Sequence, residues 1–454
     1  MTPGASTGRE MLEQVWSCLG AEPTRVQVVQ EPPPEVPLSA HLDVASLAWA
    51  SVAAASLSAA ELVGGREITP DADRIAVAYA SERHLRVGGE APTVWAPLSG
   101  FFRSSDGWVR THGNYPHHAA ALRRGLGLPA DAGKHEVAAS LRGLPAAVAA
   151  EAVTGAGGLC VPVAHENAPV DAELRDTPII DVARAGDALP HRRAGGPPEA
   201  PLRGIRVLDL TRVIAGPVAT RTLALLGADV LRIDPPRLPE PEWQHFDTGH
   251  GKRSTILDLG ASADRERFER LLATADVVVT GYRARALERL GLAPASLIAR
   301  HPSLVAARLT AWGADDSAAD RRGFDSLVQA ASGIAWIESD DGESPGALPV
   351  QALDHSAGYL LAAGILRALA RRNVEGAGWI VETSLRRIAA ELLGMPRTRD
   401  PQPADRSFDP ARHVQEFDVG GLGVITAAPA LAYDGGPTGF SPPRRWGRDA
   451  AEWR

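Results

Sequence analysis

The chain has 454 residues, of which 44% are hydrophobic and 22% are charged, as is usual for a soluble globular protein of two or three domains. A net charge of −8 and a pI near 5.9 disfavour a nucleic-acid-binding protein, because phosphate contacts need a basic face. Two cysteines are too few for a disulfide framework or a Cys-based zinc site, and we expect neither a metal nor a permanently bound cofactor.

The N-terminal segment Met1–Glu13 has no apolar core of the kind that signal peptides contain. The most apolar run, Val44–Ala60, consists mostly of Ala and Ser and is too short and too weakly hydrophobic to span a bilayer. We therefore expect a cytoplasmic protein that has no membrane partner.

Residues 1–181 show a mixed pattern that predicts an N-terminal α/β segment. The predicted elements are helices at Val44–Leu62 and Glu136–Val153, a strand pair within Trp95–Val109, and a short strand at Leu159–Val163. Residues 182–203 are rich in Pro, Gly and Arg, and they predict a linker.

Residues 204–395 alternate between strand and helix patterns, and the tail at residues 396–454 is loop-rich. This alternation predicts a Rossmann-like, doubly wound parallel sheet, beside a smaller α/β domain. Predicted strands are Ile205–Leu210, Asp229–Ile233, Ser254–Leu257, Val277–Thr280, Leu304–Leu309 and Trp379–Glu382. Predicted helices are Pro217–Leu226, Asp264–Thr274, Ala357–Arg372 and Ser384–Leu393.

The turn after the first strand of this region, Thr211–Pro217, argues against a dinucleotide site. It lacks the Gly-x-Gly-x-x-Gly pattern, and Pro217 removes one N–H group from the start of the following helix. The chain also lacks a Walker motif, so an ordinary P-loop nucleotide hydrolase is disfavoured.

Asp354 lies at the predicted start of a helix, after the turn-rich segment Ser339–Pro349. A carboxylate at this place has two readings. It can cap the helix, as Asp often does, or it can be a reactive group next to unpaired backbone N–H groups.

Five blocks in order resemble the class III CoA-transferases, the family that includes formyl-CoA transferase, carnitine CoA-transferase and the bile-acid-inducible F type. The blocks are Gly204–Asp234, Gly251–Leu259, Ala275–Leu292, Gly323–Gly333 and Pro349–Gly358. The last block includes Asp354 where the family places its catalytic aspartate.

Residues 45–165 resemble the C-terminal portion of such an enzyme, with the similarity carried by Trp95–Arg110. The tail from Phe417 resembles a shortened second version of that portion. The resemblance thus implies a permuted or partially duplicated domain order. It also implies an interlocked homodimer, in which a partner would bury the apolar run Val44–Ala60.

The resemblance implies that the protein transfers CoA from an acyl-CoA thioester to an acceptor carboxylic acid through an aspartyl-CoA intermediate. Asp354 would be the nucleophile, with acyl-CoA and carboxylic acids as substrates. The donors for the oxyanion would come from the helix start, from the loop around Gly100, or from Gly420-Gly421.

Several positions of the matched blocks are candidates for binding CoA. Lys252 and Arg289 match cations that lie near CoA in the family, and the alternative for each is a solvated surface charge. The remaining candidates, by position in the first block, are Arg232, Asp234, Ile214 and Ala215. Two contacts of some family members are missing, because Pro235 and Gly281 replace an arginine and an asparagine.

Two other functions stay open. The acyl-CoA racemases of the same superfamily have a histidine where this chain has Phe324, and a glycine run where this chain has Asp-His-Ser-Ala-Gly from Asp354. A non-catalytic paralogue that binds CoA or acyl-CoA is the third candidate. His355 follows Asp354, but adjacent helical residues do not face each other, so packing or solvent exposure is expected for it.

Overall fold

The computed structural model describes residues 3–29, 35–190, 195–313, 318, 320–399, 401 and 408–454. Within these residues the α-helices are α1 Pro3–Cys18, α2 Val44–Glu61, α3 Ala72–Tyr79, α4 Ser81–His84, α5 Pro116–Gly125, α6 Lys134–Arg142, α7 Ala146–Gly155, α8 Ala168–Arg175, α9 Ala215–Leu225, α10 Glu242–Thr248, α11 Ser262–Leu272, α12 Ala284–Arg289, α13 Pro294–Arg300, α14 Asp325–Ser332, α15 Ile334–Ile337, α16 Ala352–Glu375 and α17 Leu385–Gly394. The strands are β1 Arg86–Val87, β2 Gly100–Arg103, β3 Trp108–Thr111, β4 Cys160–Pro162, β5 Asp181–Ala185, β6 Arg206–Leu210, β7 Asp229–Asp234, β8 Arg253–Ile256, β9 Val277–Thr280, β10 Val305–Thr310, β11 Gly378–Ser384, β12 Val414–Asp418 and β13 Gly423–Ala427.

The largest sheet has seven strands in the order β5-β11-β10-β9-β6-β7-β8. All neighbouring strands are parallel except β5, which runs antiparallel to β11 at the edge. Strand β9 has four buried residues in a row, because a parallel sheet that is covered on both faces leaves no strand face for water.

Helices cover both faces of this sheet. On one face, Val207 and Val277 belong to a core that α2, α9 and α16 complete. On the other face, Leu208 and Val278 pack with apolar side chains of α11, α12 and α13. The alternating residues of each strand therefore build two separate cores, and the parallel-dominated sheet expected for residues 204–395 is present.

Helix α2 is an internal helix, since sixteen of its eighteen residues are buried and its main neighbours are α1 and α16. Two of its buried hydroxyls are satisfied within the helix, where Ser51 and Ser56 donate to the carbonyl groups of Leu47 and Val52. By length and composition alone α2 could cross a bilayer, although a buried core helix meets the same criteria. The need for a partner subunit to cover this helix was a wrong expectation, because the chain covers it itself.

A separate three-stranded sheet, called the small sheet here, consists of β2, β3 and β4. Phe102 and Val109 on one face contact a core built by α5, α6 and α7, while the other face turns to α14. A third sheet joins β1 to β13 and β12, and Arg86 pairs with Ile425. The tail after residue 396 thus contains strands, and it is tied to the N-terminal region.

The structure corrects three predicted boundaries. Gly143 and Pro145 interrupt the predicted helix Glu136–Val153, which forms α6 and α7 instead. The predicted linker 182–203 begins within β5, and its residues 191–194 lie outside the described residues. The segment 1–181 is not one unit, because α2 packs on α16 of the main domain and α1 packs on α2.

Gly358, in the second turn of α16, permits the close approach of α9. A Cβ atom at Gly358 would lie 2.7 Å from the Ala215 carbonyl oxygen and 2.7 Å from the Val218 Cβ. We predict that Gly358→Ala lowers the free energy of unfolding by about 1–3 kcal/mol, because the helices must separate. Urea unfolding measures this change.

The matched control is Gly155→Ala, at the end of α7, where a Cβ atom would meet nothing within 4 Å. This control should be neutral or stabilising by up to about 1 kcal/mol, because it only restricts the unfolded chain. Equal unfolding free energies for Gly358→Ala and the parent would contradict the packing argument.

Candidate active site

A cavity of about 300 Å³ opens at the carboxyl ends of β6, β9, β10 and β11. Val213 follows β6, Tyr282 follows β9, Trp312 follows β10 and Leu385 follows β11, and all four line the cavity. Strands β7 and β8 follow on one side of β6, and β9, β10 and β11 follow on the other, so the strand order reverses between β6 and β9. Open α/β sheets bind ligands at such switch points. The position alone therefore makes this cavity the candidate active site.

The opposite wall comes from the small-sheet region. Tyr115, His117 and His118 line the cavity at the start of α5. Burial lowers the pKa of His118 to about 3, with a smaller contribution from His117, so the His118 ring is neutral at physiological pH. Sequence reasoning missed these residues, although His112, Tyr115, His117 and His118 within seven positions were an available signal.

Asp354 lies on the cavity wall with 7% of its surface exposed. It is the third residue of α16, which begins at Ala352 and has Gln351 as its N-cap. The Asp354 carboxyl group caps nothing, and no described residue donates a hydrogen bond to it. The reading of Asp354 as a helix cap is therefore wrong, and the side chain is available to a ligand.

Asp325 performs the capping of α16 from the neighbouring helix α14. The backbone N–H of Asp354 donates to Asp325 Oδ2 at 2.9 Å, and the N–H of Leu353 also donates to this carboxylate. The Ala352 N–H donates to the Val350 carbonyl. These N–H groups cannot serve as oxyanion donors, which corrects that expectation, and Gly100 and Gly420 are not among the cavity-lining residues.

The two carboxyl groups oppose each other's ionisation. Burial raises the pKa of Asp354 well above its ordinary value, and the charge of Asp325 raises it further. Burial also raises the pKa of Asp325 to about 6, although the N–H donors of α16 and the Gln329 side chain act in the opposite direction. Asp354 therefore keeps its proton to a higher pH than an exposed aspartate does.

Four arginines line the same cavity, while Asp354 is the single carboxyl group among the described lining residues. Arg322 donates to the Gly157 carbonyl at 2.7 Å, and the Arg321 guanidinium lies 3.4 Å from the Trp312 ring centroid. A second cavity of about 460 Å³ shares Arg283, Arg321 and Arg322 as lining residues. An excess of guanidinium groups around one carboxyl group favours anionic ligands.

Glu240 connects several residues of the cavity wall to one another on the buried side of the wall. Tyr115 Oη donates to Glu240 Oε1 at 2.9 Å, and the Val213 N–H donates to the same oxygen at 3.3 Å. Arg232 bonds directly to Oε2, and Arg212 Nε lies 3.7 Å from it. Although burial opposes ionisation, the two arginines hold the pKa of Glu240 below its ordinary value. Glu240 thus fixes three residues of the wall at once.

Val213 adopts a φ of 72°, which is rare for a β-branched residue. Its strained conformation directs the N–H group toward Glu240 and leaves the residue on the cavity wall. Such strain costs on the order of 1–3 kcal/mol, and surrounding structure must maintain it. An outlier at this position supports the assignment of the loop to the functional site.

Lys252 is fully buried and is not a lining residue of the cavity. Its Nζ donates to Asp209 Oδ2 at 3.1 Å and to the Pro217 carbonyl at 2.9 Å, and burial lowers its pKa to about 8. Asp209 also accepts hydrogen bonds from Thr211 and Thr220. Lys252 therefore supports the loop before α9 from inside the protein, and it is not the solvated surface charge that the sequence offered as the alternative.

Arg232 and Asp234 form a second buried pair instead of a surface site. Arg232 donates to both Asp234 oxygens at 2.7 and 2.9 Å, and Trp446 donates to Asp234 from the tail. Neither residue lines the cavity. A direct contact of either one with a ligand in this cavity is thus not supported by its placement.

The remaining candidates differ in exposure. Ala215 lines the cavity, and Ile214 is the N-cap residue just before it. Arg289 is exposed at the end of α12, outside the lining residues. His355 is buried and stacks on Tyr79 with ring centroids 5.1 Å apart, which fits the expected packing role.

Phe324 occupies the position where racemases have a histidine. It lines the cavity and stacks on His112, with ring centroids 3.9 Å apart and an interplanar angle of 6°. Among the described residues, Asp71, Asp73 and His413 bring possible metal ligands within 4.8 Å of one another. Asp71 already caps α3, so we assign no metal there.

Comparison with known proteins places this site in a family context. Residues 202–414 match the model of CoA-transferase family III, a range slightly shorter than half of the chain. The matched range includes Asp325, Asp354 and Glu240, while Tyr115 and His118 lie outside it. The match supports the resemblance seen in the sequence for this part of the chain.

Curated relatives cover the same region. The probable fatty acyl-CoA transferase of Mycobacterium tuberculosis is 35% identical over 208 residues, which are 43% of this chain and 53% of the relative. The succinate–glutarate CoA-transferase of Agrobacterium fabrum is 30% identical over 211 residues, with shares of 42% and 53%. The succinyl-CoA:mesaconate CoA-transferase of Haloarcula hispanica is 32% identical over 203 residues, with shares of 40% and 51%. The chain spans about half the length of these relatives.

Among solved structures, a crystal structure of the Mycobacterium tuberculosis protein is 34% identical, with a TM-score of 0.41. The aligned part covers 43% of this chain and 57% of that one. A CAIB/BAIF family protein from Brucella suis is 26% identical, with a TM-score of 0.40 and shares of 51% and 66%.

The raised pKa of Asp354 predicts a pH-dependent effect on stability. Between the ordinary aspartate pKa of about 4 and the higher folded value, only the folded state keeps the proton, so stability falls as pH rises. Asp354→Asn cannot ionise and should melt at a higher temperature than the parent at pH 8. Near pH 4 the two melting temperatures should converge. A lower melting temperature for Asp354→Asn at pH 8 would contradict this assignment.

Glu240→Gln should destabilise the protein, because two arginines, Arg212 and Arg232, are then left with Asp234 as the one remaining carboxylate partner of Arg232 among the described residues, and the buried cluster carries an uncompensated positive charge. We expect a loss of about 3 kcal/mol or more in the free energy of unfolding at pH 7. The loss should shrink on acidification, since the lowered pKa of Glu240 contributes stability only while the group is ionised. Glu242→Gln, at the exposed start of α10, is the control and should be nearly neutral.

Proposed function

We propose that this protein transfers CoA from an acyl-CoA thioester to an acceptor carboxylic acid, with Asp354 as the nucleophile. The observation that carries the proposal is the placement of Asp354 as the single carboxyl group on the described wall of an arginine-rich cavity. The family match to residues 202–414 supports the same reaction class. An aspartyl-CoA intermediate is the finer part of the proposal.

The reaction begins when the ionised Asp354 attacks the carbonyl carbon of the donor thioester. The C–S bond breaks, which leaves a mixed anhydride and CoA thiolate. The thiolate then attacks the Asp354 carbonyl, releases the donor acid as a carboxylate and forms aspartyl-CoA. The acceptor carboxylate repeats both steps in reverse, so that acyl-CoA leaves and Asp354 is restored.

The start of α9 is the proposed source of oxyanion donors. Ala215 is the first residue of α9 and lies on the cavity wall. No described residue accepts a hydrogen bond from the N–H of Ala215 or Gly216, as expected for the first turn of a helix. Their partial positive charge suits the oxygen that becomes negative during attack.

The arginines of the wall suit the anionic parts of acyl-CoA and of the acid. Arg212, Arg283, Arg321 and Arg322 take the role that the sequence suggested for Lys252 and Arg232. Arg289 keeps its proposed contact with the CoA nucleotide, because it is exposed. The names of the relatives include several different acids, so the family match does not select the acceptor acid.

A cytoplasmic homodimer completes the proposal. The family resemblance supports the dimer and the permuted order, while the burial of α2 within one chain removes one reason for it. Light scattering at micromolar concentration distinguishes a dimer from a monomer.

Asp354→Asn and Asp354→Ala should both lack transferase activity, because an amide or a methyl group cannot attack a thioester. The parent, incubated with an acyl-CoA and then with hydroxylamine, should carry a modification at Asp354 in peptide mass spectra. Exposed Asp418→Asn is the control and should remain active. Substantial activity of Asp354→Asn would exclude this nucleophile, and CoA binding without turnover in the parent would favour a non-catalytic binding protein.

The transferase rate should rise with pH along the acidic limb, and the midpoint should lie above the ordinary pKa range of aspartate. The reason is that only ionised Asp354 attacks, while burial and Asp325 raise its pKa. A pH–rate profile of kcat/KM measures the midpoint. A midpoint near pH 4 would show that the free enzyme holds Asp354 in a more polar setting.

A second candidate is proton exchange at the α-carbon of an acyl-CoA. Phe324 cannot carry a proton, but neutral His118 lines the same cavity as Asp354. An imidazole and a protonated carboxyl group can act as base and acid. Deuterium incorporation into an acyl-CoA in D2O, lost in His118→Gln, would support this activity over CoA transfer.

A further inference from the structure

His118 is a buried histidine on the wall of the cavity that also contains Asp354. It is the third residue of α5, and only 7% of its surface is exposed. The other buried histidines of the described residues do not line this cavity, and they are His112, His245, His250 and His355. His118 is therefore the buried imidazole that a ligand beside Asp354 can meet.

The ring nitrogens of His118 lack the partners that other buried histidines have. Its Nδ1 is buried with no hydrogen-bond partner, and no described residue forms a hydrogen bond with its Nε2. By contrast, His245 Nε2 lies 2.9 Å from the Arg444 carbonyl oxygen, and His250 Nε2 lies 2.8 Å from the Thr426 hydroxyl. Burying a polar ring without a partner is costly, so this contrast indicates that the partner of His118 Nε2 is a ligand in the cavity.

Neighbouring rings fix the orientation of the His118 side chain. Tyr115, Phe324 and His112 meet it edge-on, with ring centroids at 5.6, 6.0 and 6.3 Å and interplanar angles of 84°, 77° and 74°. The His117 ring also lies against it, with centroids 4.0 Å apart. Because rings surround the imidazole, Nε2 keeps one direction before a ligand binds.

Phe324 connects His118 to the reacting carboxyl group. Its ring meets the His118 ring, and the next residue, Asp325, accepts the Asp354 N–H at 2.9 Å. His118, Phe324 and Asp354 all line the cavity of about 300 Å³, whose size suits a small carboxylic acid. An acid that bonds to His118 is thus in the same cavity as Asp354.

Arg212 adds a positive charge on this wall. Its Cζ lies 5.2 Å from the ring centroid of Tyr115, which is one of the edge-on neighbours of His118. Burial lowers the pKa of His118 to about 3, so the ring is neutral and has one N–H group at neutral pH. An anionic oxygen favours the tautomer that has this hydrogen on Nε2, because Nε2 can then donate it.

We propose that His118 is a further catalytic residue of the CoA transfer, whose Nε2–H donates a hydrogen bond to a carboxylate oxygen of the acceptor acid. The other oxygen of the acid attacks the carbonyl carbon of aspartyl-CoA, the C–S bond breaks, and CoA thiolate leaves. His118 keeps its proton throughout, so this role differs from that of a base in proton exchange. The inference rests on the proposed function, and it assigns the acid contact to a wall outside the matched range 202–414.

Nitrogen NMR of the full chain, labelled with ¹⁵N in its histidine rings, tests this hydrogen bond directly. Acetate, butyrate and succinate are the probe acids, and each is titrated in the absence of CoA. We expect the His118 signals, identified by their absence in His118→Gln, to shift toward the pattern of a ring that is protonated on Nε2. Unchanged His118 signals with all three acids would overturn the inference.

His118→Phe keeps a ring of similar size and removes the donor. We expect the Kd of the best-bound probe acid to rise about tenfold or more, because a hydrogen bond to a charged group is lost, while the Kd of CoA stays unchanged. The melting temperature should be equal or higher, since a buried nitrogen without a partner is removed. His118→Gln should keep most of the affinity for the acid, because its amide N–H can replace that of the imidazole.

His135→Phe is the matched control, since His135 is exposed on α6 and lies outside the cavity lining. It should bind the acids and CoA like the parent. Acid binding in His118→Phe that equals that of the parent would overturn the inference. A joint loss of acid and CoA binding with a lower melting temperature would also overturn it, because His118 would then have a structural role alone.

Transfer assays separate this inference from the proposed function. The NMR shift at His118 without CoA transfer to any acid would retain the acid site and reject the transferase. CoA transfer in His118→Phe with the kcat/KM of the parent for the acid would retain the transferase and reject the role of His118. His118→Gln should still transfer CoA, and a complete loss of transfer in this variant would indicate a base and overturn the hydrogen-bonding role.

Discussion

The hydrogen bonds that Asp325 accepts from the first turn of α16 determine where Asp354 points. A helix start that is buried without acceptors would leave N–H groups unsatisfied at a cost of about 1–3 kcal/mol each. Asp325 supplies the acceptor from α14, so the Asp354 side chain is not needed as a cap and extends into the cavity. The same proximity opposes the ionisation of Asp354. Placement and reactivity therefore compete at Asp354.

Three buried carboxylates share this way of organising the site. Asp209 accepts hydrogen bonds from Thr211, Thr220 and Lys252 beneath the loop before α9. Glu240 accepts hydrogen bonds from Tyr115 and Val213 and forms ion pairs with two arginines on the buried side of the cavity wall. Each carboxylate binds charged or hydrogen-bonding groups within the protein, so those groups have a structural role instead of contacting a ligand. A charged residue at a family position can thus act one layer away from the ligand.

The main sheet was predictable because most of its strands are short segments rich in apolar residues that alternate with helix patterns, and β9 has the predicted bounds at Val277–Thr280. Helix α7 was not separated from α6, and most of strand β5 was assigned to the linker, because an Ala-rich helix and an edge strand with the exposed Arg184 carry weak periodicity. Tertiary contacts decided those elements. The tail strands β12 and β13 depend likewise on pairing with β1, which a local pattern does not reveal.

Part of the candidate site was predictable because Asp354 stands at the position where the family has its catalytic aspartate. The sequence could not predict roles that depend on burial. Lys252 and Arg289 are both basic residues of the matched blocks, but Lys252 is fully buried and Arg289 lies on the surface. His117 and His118 were missed because more than 200 residues separate them from Asp354. Their approach to Asp354 depends on the docking of the small sheet against α14.

That docking has a kinetic consequence. The bond between Tyr115 and Glu240 joins residues 125 positions apart, and the β1–β13 pairing joins positions 86 and 425. Contacts of such high sequence separation carry a large loop-closure entropy, and they form after local helices and neighbouring strands. Strands β6, β7, β8, β9 and β10 pair over shorter separations, as Val207 does with Val277, so this part of the main sheet can assemble before the second wall docks. Until then the arginine-lined face lies open to solvent. The partly folded chain then has Asp354 and the arginines in place, but the wall that contains Tyr115 and His118 does not yet close the cavity.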